Sequence, residues 1–235
     1  MPHVFVIGSK GGTGTSSVAA NLARSIRLNG ETSVLIELCP QNQLGVHFAL
    51  PWPNVQGWAQ CESFVDLAKQ FYRTDSDILL LPYGQMANGI TPDTLFTHLK
   101  QIELPENAWF IFDCPKTFPV FEFASRKDFI IEVSTCDPIC HSILYQKYAY
   151  KNYKPIQGHY ILVNKYNAQS QIEAEIFCVW QNELNQLCPL FIHFDEAIKE
   201  APGYQNQAVQ THPGNTCRAD FAKLSSWLAS KVSQQ

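Results

Sequence analysis

Apolar residues in this chain gather in short unbroken runs, separated by longer stretches in which they recur every three or four positions. The runs are VFVI at 4–7, SVLIEL at 33–38, ILLLP at 78–82, WFIFD at 109–113, DFIIEV at 128–133, HYILVN at 159–164 and LFIHF at 190–194. Runs that are continuous rather than alternating predict parallel strands covered on both faces. Helical patterns are expected at 16–30, 92–101, 171–186, 195–201 and 217–231, the first closed by the stop signal Asn29-Gly30. This order predicts an α/β fold: a doubly wound, mostly parallel sheet with helices on both faces. Ligands of such sheets bind at the carboxyl ends of the strands, so the residues just after each run are the candidates for chemistry.

Composition narrows the picture. With 46% apolar and 16% charged residues the chain is globular, and its 235 residues, without repeat or linker, read as one domain, 1–235. A net charge of −4, from 17 basic and 21 acidic residues, gives no bulk attraction to nucleic acid or anionic lipid. No stretch reaches the roughly 20 apolar residues that span a bilayer, and the first residues enter a strand directly, so no secretion signal is expected. Eight scattered cysteines suit a reducing, cytoplasmic setting better than a disulfide scaffold. Cys136, Cys140 and His141 carry ligand chemistry, but no second Cys/His cluster has ligand spacing, and metal there is disfavoured.

The stretch SKGGTGTSS, Ser9 to Ser17, joins the first strand to the first helix. Its glycines, Gly11, Gly12 and Gly14, let successive N–H groups turn toward an anion, and Ser16 and Ser17 open a helix whose positive dipole end adds attraction. The loop is therefore expected to hold phosphate, with Ser16 placed to ligate Mg2+. The motif resembles the deviant Walker A of the MinD/ParA (SIMIBI) P-loop ATPases, K-G-G-x-G-K-T/S. That resemblance makes Lys10 the signature lysine, catalytic in trans across an ATP-sandwich homodimer, and makes Ser9, Thr13, Thr15 and Ser17 further nucleotide-binding positions. Thr15 stands where the family has a second lysine, and a neutral hydroxyl supplies no charge.

The resemblance extends to the other strand ends. ELCPQNQL is similar to the family's switch I, with Glu37 at the first acidic position, Cys39 where a water-positioning aspartate is usual, and Pro40 following. FIFDCP reads as Walker B, with Asp113 holding Mg2+ through water; the family usually continues D-x-P-x-G, and here Lys116 and Thr117 follow Pro115, so the glycine of switch II is absent. In ILVNKY, Asn164 is placed to bond an adenine edge, and FIHFDEAIKEA resembles a further family segment followed by Pro-Gly at 213–214 near the base. Losing a lysine and an aspartate from a site that works by positioning and electrostatics implies slow or absent hydrolysis.

Several segments, GGTGTSS, ELCPQNQL, VQGWAQ at 55–60, LLLPYGQ at 79–85 and FIHFDEAIKEA, are similar to one branch of that family, the BcsQ-type proteins of bacterial cellulose secretion. The resemblance implies ATP and Mg2+ as cofactors, a homodimer, and partnership with BcsR-like and BcsE-like proteins around a cellulose synthase. Membrane contact would come only through that complex. The alternative is an actively cycling positioning ATPase on a membrane or DNA-bound cargo. Against it, 217–231 has an apolar face better suited to packing on a sheet than to lipid, with only Lys223 and Lys231 for headgroups. WPNVQGW at 52–58 and YQKYAYKNY at 145–153 suit either partner binding or burial, and the second is expected to be partly exposed.

Overall fold

The structure is a computed structural model and describes residues 1–51, 56–149, 156–211 and 214–234. Its strands are β1 (His3–Gly8), β2 (Thr32–Glu37), β3 (Tyr72–Arg73), β4 (Leu79–Leu81), β5 (Ala108–Cys114), β6 (Phe129–Ser134), β7 (His159–Tyr166) and β8 (Leu187–His193). They form one sheet in the order β3-β4-β2-β5-β1-β6-β7-β8, parallel except for the β3–β4 pair at one edge. The helices are α1 (Thr15–Leu28), α2 (Phe64–Ala68), α3 (Pro92–Leu99), α4 (Val120–Phe123), α5 (Pro138–Leu144), α6 (Gln171–Glu183), α7 (Glu196–Glu200), α8 (Ala208–Thr211) and α9 (Thr216–Val232). The expected seven strands and five helices are present. The sequence reading missed the two-residue β3 and the short helices α2, α4, α5 and α8, and β8 begins earlier than the run at 190–194.

Both faces of the central strands are apolar, and the side chains divide strictly by parity. Val4 and Val6 face a cluster with Val18, Leu22 and Ile26 of α1 and Phe221, Leu224 and Leu228 of α9. Phe5 faces the opposite cluster, where it stacks on Phe112 at 4.7 Å and Phe112 meets Phe96 of α3 at 4.9 Å. The apolar face of α9 is thus spent on the sheet: Phe221, Leu224 and Leu228 are fully buried. Each such side chain contributes about 1.5–3 kcal/mol by leaving water, which fixes α1 and with it the loop that precedes it.

Residues 56–60 and 79–85 are one structure. The Trp58 and Ala59 N–H groups donate to the Pro82 and Tyr83 carbonyls, and the Gln85 N–H donates to Gln60. Gly57 is required by close approach, since a Cβ there would stand 2.2 Å from the Gly84 nitrogen. Trp58 is buried, with its indole N–H donating to the Glu37 carbonyl at 2.7 Å. Of the 52–58 stretch, Trp58 is therefore core, while 52–55 lie outside the described residues.

Past α5 the chain winds into a π-helical turn, Tyr145–Ala149. It is pinned to the sheet by the buried Glu132 of β6, which accepts from Lys147 at 2.9 Å, from the Tyr148 hydroxyl, and pairs with His159 Nε2 at 3.1 Å. Tyr145 is 38% exposed and Tyr148 is buried; Tyr150 and Tyr153 lie outside the described residues.

Candidate functional site

The carboxyl ends of β1, β2 and β5 meet at the point where the strand order departs in both directions from β1. The β2–β5 register sets Glu37 level with Asp113, and the β1–β5 register sets Val6 beside Asp113. Above them the 9–17 loop, the segment after β2 and the turn after β5 enclose an open cleft of about 540 Å3. Lys10, Gly11, Gly12, Gly14, Thr15, Ser16, Ser17, Glu37 and Cys39 line it, together with Gln41, Gln43, Lys116 and Thr117.

The loop is held from behind. Asn164 donates its amide to the Thr13 carbonyl at 2.7 Å, and Lys165 donates to the Gly12 carbonyl at 2.9 Å. A trans peptide sets N–H opposite C=O, so these contacts turn the Thr13 and Gly14 N–H groups to the other side of the loop. Among the described residues the N–H groups of Gly11, Gly12, Thr13 and Gly14 have no hydrogen-bond partner. Gly14 sits at φ +93°, and a Cβ there would lie 2.6 Å from the Asn164 amide nitrogen. Glycine is thus needed for both conformation and space. Helix α1 then begins with no acidic residue in its first turn, leaving its dipole free for an external anion.

Not every expected position lines the cleft. The Ser9 N–H donates to the Val133 carbonyl and its hydroxyl to Ser134, both behind the loop. Thr13 is buried, its hydroxyl on the Lys10 carbonyl. Pro40 is exposed in the turn after β2 and is not part of the lining. Asn164 reaches the loop through its amide group, while its carbonyl oxygen is buried without a partner.

The floor of the cleft is acidic and incompletely satisfied. Asp113 is wholly buried and neither carboxyl oxygen has a hydrogen-bond partner. Burial pushes its pKa up to about 7, against a smaller pull from the neighbouring Ser16 hydroxyl. Burial likewise raises Glu37 to about 8; the Leu44 N–H opposes that rise and the Asp113 charge adds to it. One Glu37 oxygen accepts from the Gln43 and Leu44 N–H groups at 2.6 and 2.9 Å; the other has no partner. Of ten buried side-chain polar atoms without a partner among the described residues, three belong to Asp113 and Glu37. Native interiors seldom leave such groups unpaired, so the cluster marks a place completed by something outside the chain. A hard cation suits it: two carboxylates and the Ser16 hydroxyl are an all-oxygen donor set of the kind Mg2+ takes. The residues therefore fit that ion.

Cys39 is half-buried beside these carboxyls. Burial, with the Asp113 and Glu37 charges adding to it, holds its thiol far above the usual range. Lys10 does not enter its own cleft floor; its ammonium pairs with Asp137 at 3.2 Å. Asp137 caps α5 by accepting from the Ile139 and Cys140 N–H groups, both at 2.9 Å. Burial raises its pKa, but bonds from the Thr135 hydroxyl, Cys140 N–H and Lys10 outweigh that and bring it to about 2. The sequence reading missed Asp137 and Lys165. The Asp137-Pro138 pair, a helix cap followed by proline at the first turn, is a signal that was present. The eight cysteines are free thiols, and no metal-binding cluster of three or more His, Cys, Asp or Glu occurs among the described residues.

A parallel sheet with a glycine loop at its switch point and paired carboxyls on the adjoining strands defines a P-loop fold of the MinD/ParA ATPase kind. Solved structures agree. A Pyrococcus horikoshii MinD complexed with Mg-ADP superposes with TM-score 0.75 at 18% identity, over 97% of this chain and 95% of that one. A ParA family ATPase from Chlorobium tepidum gives 0.73 at 16% identity, over 96% and 97%. The chain belongs to the cellulose biosynthesis protein BcsQ family, whose model matches residues 1–228. It is 26% identical over 233 residues to the Escherichia coli K12 cellulose biosynthesis protein BcsQ, covering 94% of this chain and 91% of that protein.

Proposed function

We propose that the protein is an ATP-binding regulator of the bacterial cellulose synthase and secretion complex, closing into an ATP-sandwich homodimer that hydrolyses slowly or not at all. The observation that carries this is the orphaned, wholly buried Asp113 carboxylate beneath a loop whose N–H groups are free. Ser16 and Asp113 would hold Mg2+, Asp113 through water, and the ion would supply charge to bound phosphates. The free loop N–H groups and the start of α1 cradle the phosphates. The Mg-ADP in the Pyrococcus horikoshii MinD structure supports the same ligand class.

Weak turnover follows from two side chains. Thr15 brings no charge to the phosphates, and the Cys39 thiol, held neutral by burial and two acids, is a poor group for orienting water. Lys10 would leave Asp137 to reach the partner's phosphates. The dimer would then present a surface to BcsR-like and BcsE-like partners, with the protein in the cytoplasm and drawn to the inner membrane through them. The rival, a cycling positioning ATPase on membrane or DNA, is disfavoured by the net charge of −4 and the buried apolar face of α9. No helix among the described residues is long and apolar enough to cross a membrane.

The test is nucleotide-dependent mass by light scattering, with phosphate release followed on the same sample. Stable ATP-dependent dimers with negligible release, lost in Lys10→Ala, are expected. Rapid release would replace the scaffold reading with the cycling one, and no ATP binding would sink both.

A further inference from the structure

A phosphate loop without its in-loop lysine should need a cation from elsewhere, and the turn after β5 offers one. Among the described residues lining the cleft the cations are Lys10 and Lys116. Lys10 is engaged by Asp137 at 3.2 Å. Lys116 is exposed and has no hydrogen bond or ion pair among the described residues. It borders the same cleft as Gly12, Thr15 and Ser16.

Its backbone is fixed. The Phe118 N–H donates to the Pro115 carbonyl at 2.9 Å, closing the 115–118 turn, and the buried Phe118 ring stacks on Phe123 at 4.9 Å. The turn is thus clamped by the aromatic layer beneath the sheet, and Lys116 stands at its tip with a free flexible stem. A lysine ammonium is a point charge with three donors, able to follow a phosphate oxygen wherever the stem reaches. A triphosphate brings one more anionic group into the cleft than a diphosphate does, and a neutral Thr15 does nothing to offset its charge.

We infer that Lys116 supplies in cis the phosphate-neutralising charge that Thr15 lacks, and that it sets the preference for a nucleoside triphosphate over a diphosphate. This rests on the nucleotide reading above. The missing in-loop lysine is then a relocation of charge, from a flexible side chain on the loop to Lys116 on the 115–118 turn across the same cleft.

Binding of ADP and of a hydrolysis-resistant ATP analogue, each with Mg2+, tests this by calorimetry on the full chain. Wild type should prefer the triphosphate. Lys116→Gln should weaken triphosphate binding about tenfold or more, the scale for losing a charge-assisted hydrogen bond, while ADP affinity changes less than about threefold. Lys116→Arg should keep most of the preference, and Thr15→Lys added to Lys116→Gln should restore it. Retained ADP binding shows that each variant is folded. A Lys116→Gln protein that discriminates like wild type overturns the assignment and leaves the nucleotide reading intact. A wild-type protein that binds neither nucleotide overturns that reading, and this inference with it.

Discussion

At the scale of single residues, the chain keeps side chains that weaken its own metal-free state. Asp113 ionises near 7 rather than 3.8 because it is wholly buried. A carboxyl whose folded pKa is raised costs nothing below its unfolded value; the cost grows as pH climbs from about 4 and levels off above about 7. At pH 8 that cost is on the order of 4 kcal/mol for Asp113, and Glu37 acts in the same direction. Asp113→Asn removes the charge but leaves an amide without partners, a loss of about 1–3 kcal/mol. Urea denaturation in EDTA should therefore find the variant roughly 2 kcal/mol more stable than wild type at pH 8, with no gain at pH 4. The variant should also lose the extra stabilisation that Mg2+ gives with nucleotide. A variant less stable than wild type in EDTA at pH 8 would mean that the buried carboxylate has a stabilising partner in solution. A cation that neutralised these carboxyls would remove that cost, which is consistent with the nucleotide-dependent assembly proposed above.

Among the elements, the Glu132 cluster shows the opposite use of a buried acid. It joins β6 to β7 through His159 and holds the π-helical turn through Lys147 and Tyr148. Burial alone would raise the Glu132 pKa, but the His159, Lys147 and Tyr148 contacts outweigh it and bring the value to about 2. A depressed carboxyl pKa gives stability that is fully present above about 4.5 and lost as pH falls toward about 2. Glu132→Gln should cost about 3 kcal/mol in denaturant titrations at pH 7, and the gap from wild type should close as the pH is lowered through that window. An unchanged gap at pH 2.5 would show that the network does not act through ionisation. Neither this cluster nor the Trp58 strap was legible in the sequence, because both depend on which distant segments meet. An aromatic run such as YQKYAYKNY has the same composition whether its tyrosines cap a buried glutamate or face solvent. The seven continuous apolar runs were legible because parallel strands buried on both faces need no partner to be recognised, whereas the edge strand β3 spans two residues and carries no period. The loop was legible through its glycines. The contacts that orient it were not, since Asn164 acts on Thr13 from 151 positions away. Lys10's tie to Asp137 is of the same kind.

For the whole molecule the question is whether nucleotide stabilises one chain or two, and thermal unfolding separates these. A ligand that binds only the folded state adds RT ln(1 + [L]/Kd), about 2.7 kcal/mol at 100 Kd. For a chain of 235 residues that corresponds to a rise in Tm of about 5–10 °C. If each chain binds alone, the rise is independent of protein concentration. If nucleotide is held between two chains, unfolding also separates them, and Tm climbs further as the protein is concentrated. With Mg2+ and ATP, wild type is expected to show this second dependence, and Lys10→Ala to keep a rise in Tm but lose its dependence on protein concentration. Slow hydrolysis enters as a condition: the shift must persist through a scan lasting many minutes, and it decays if ATP is consumed. A concentration-independent Tm in wild type would make the protein a monomeric nucleotide sensor. A shift that fades during the scan would show that Thr15 and Cys39 do not slow hydrolysis enough to keep the pair closed. A shift that persists and climbs with protein concentration fits a BcsQ-family protein that assembles once and stays assembled at the cellulose machinery.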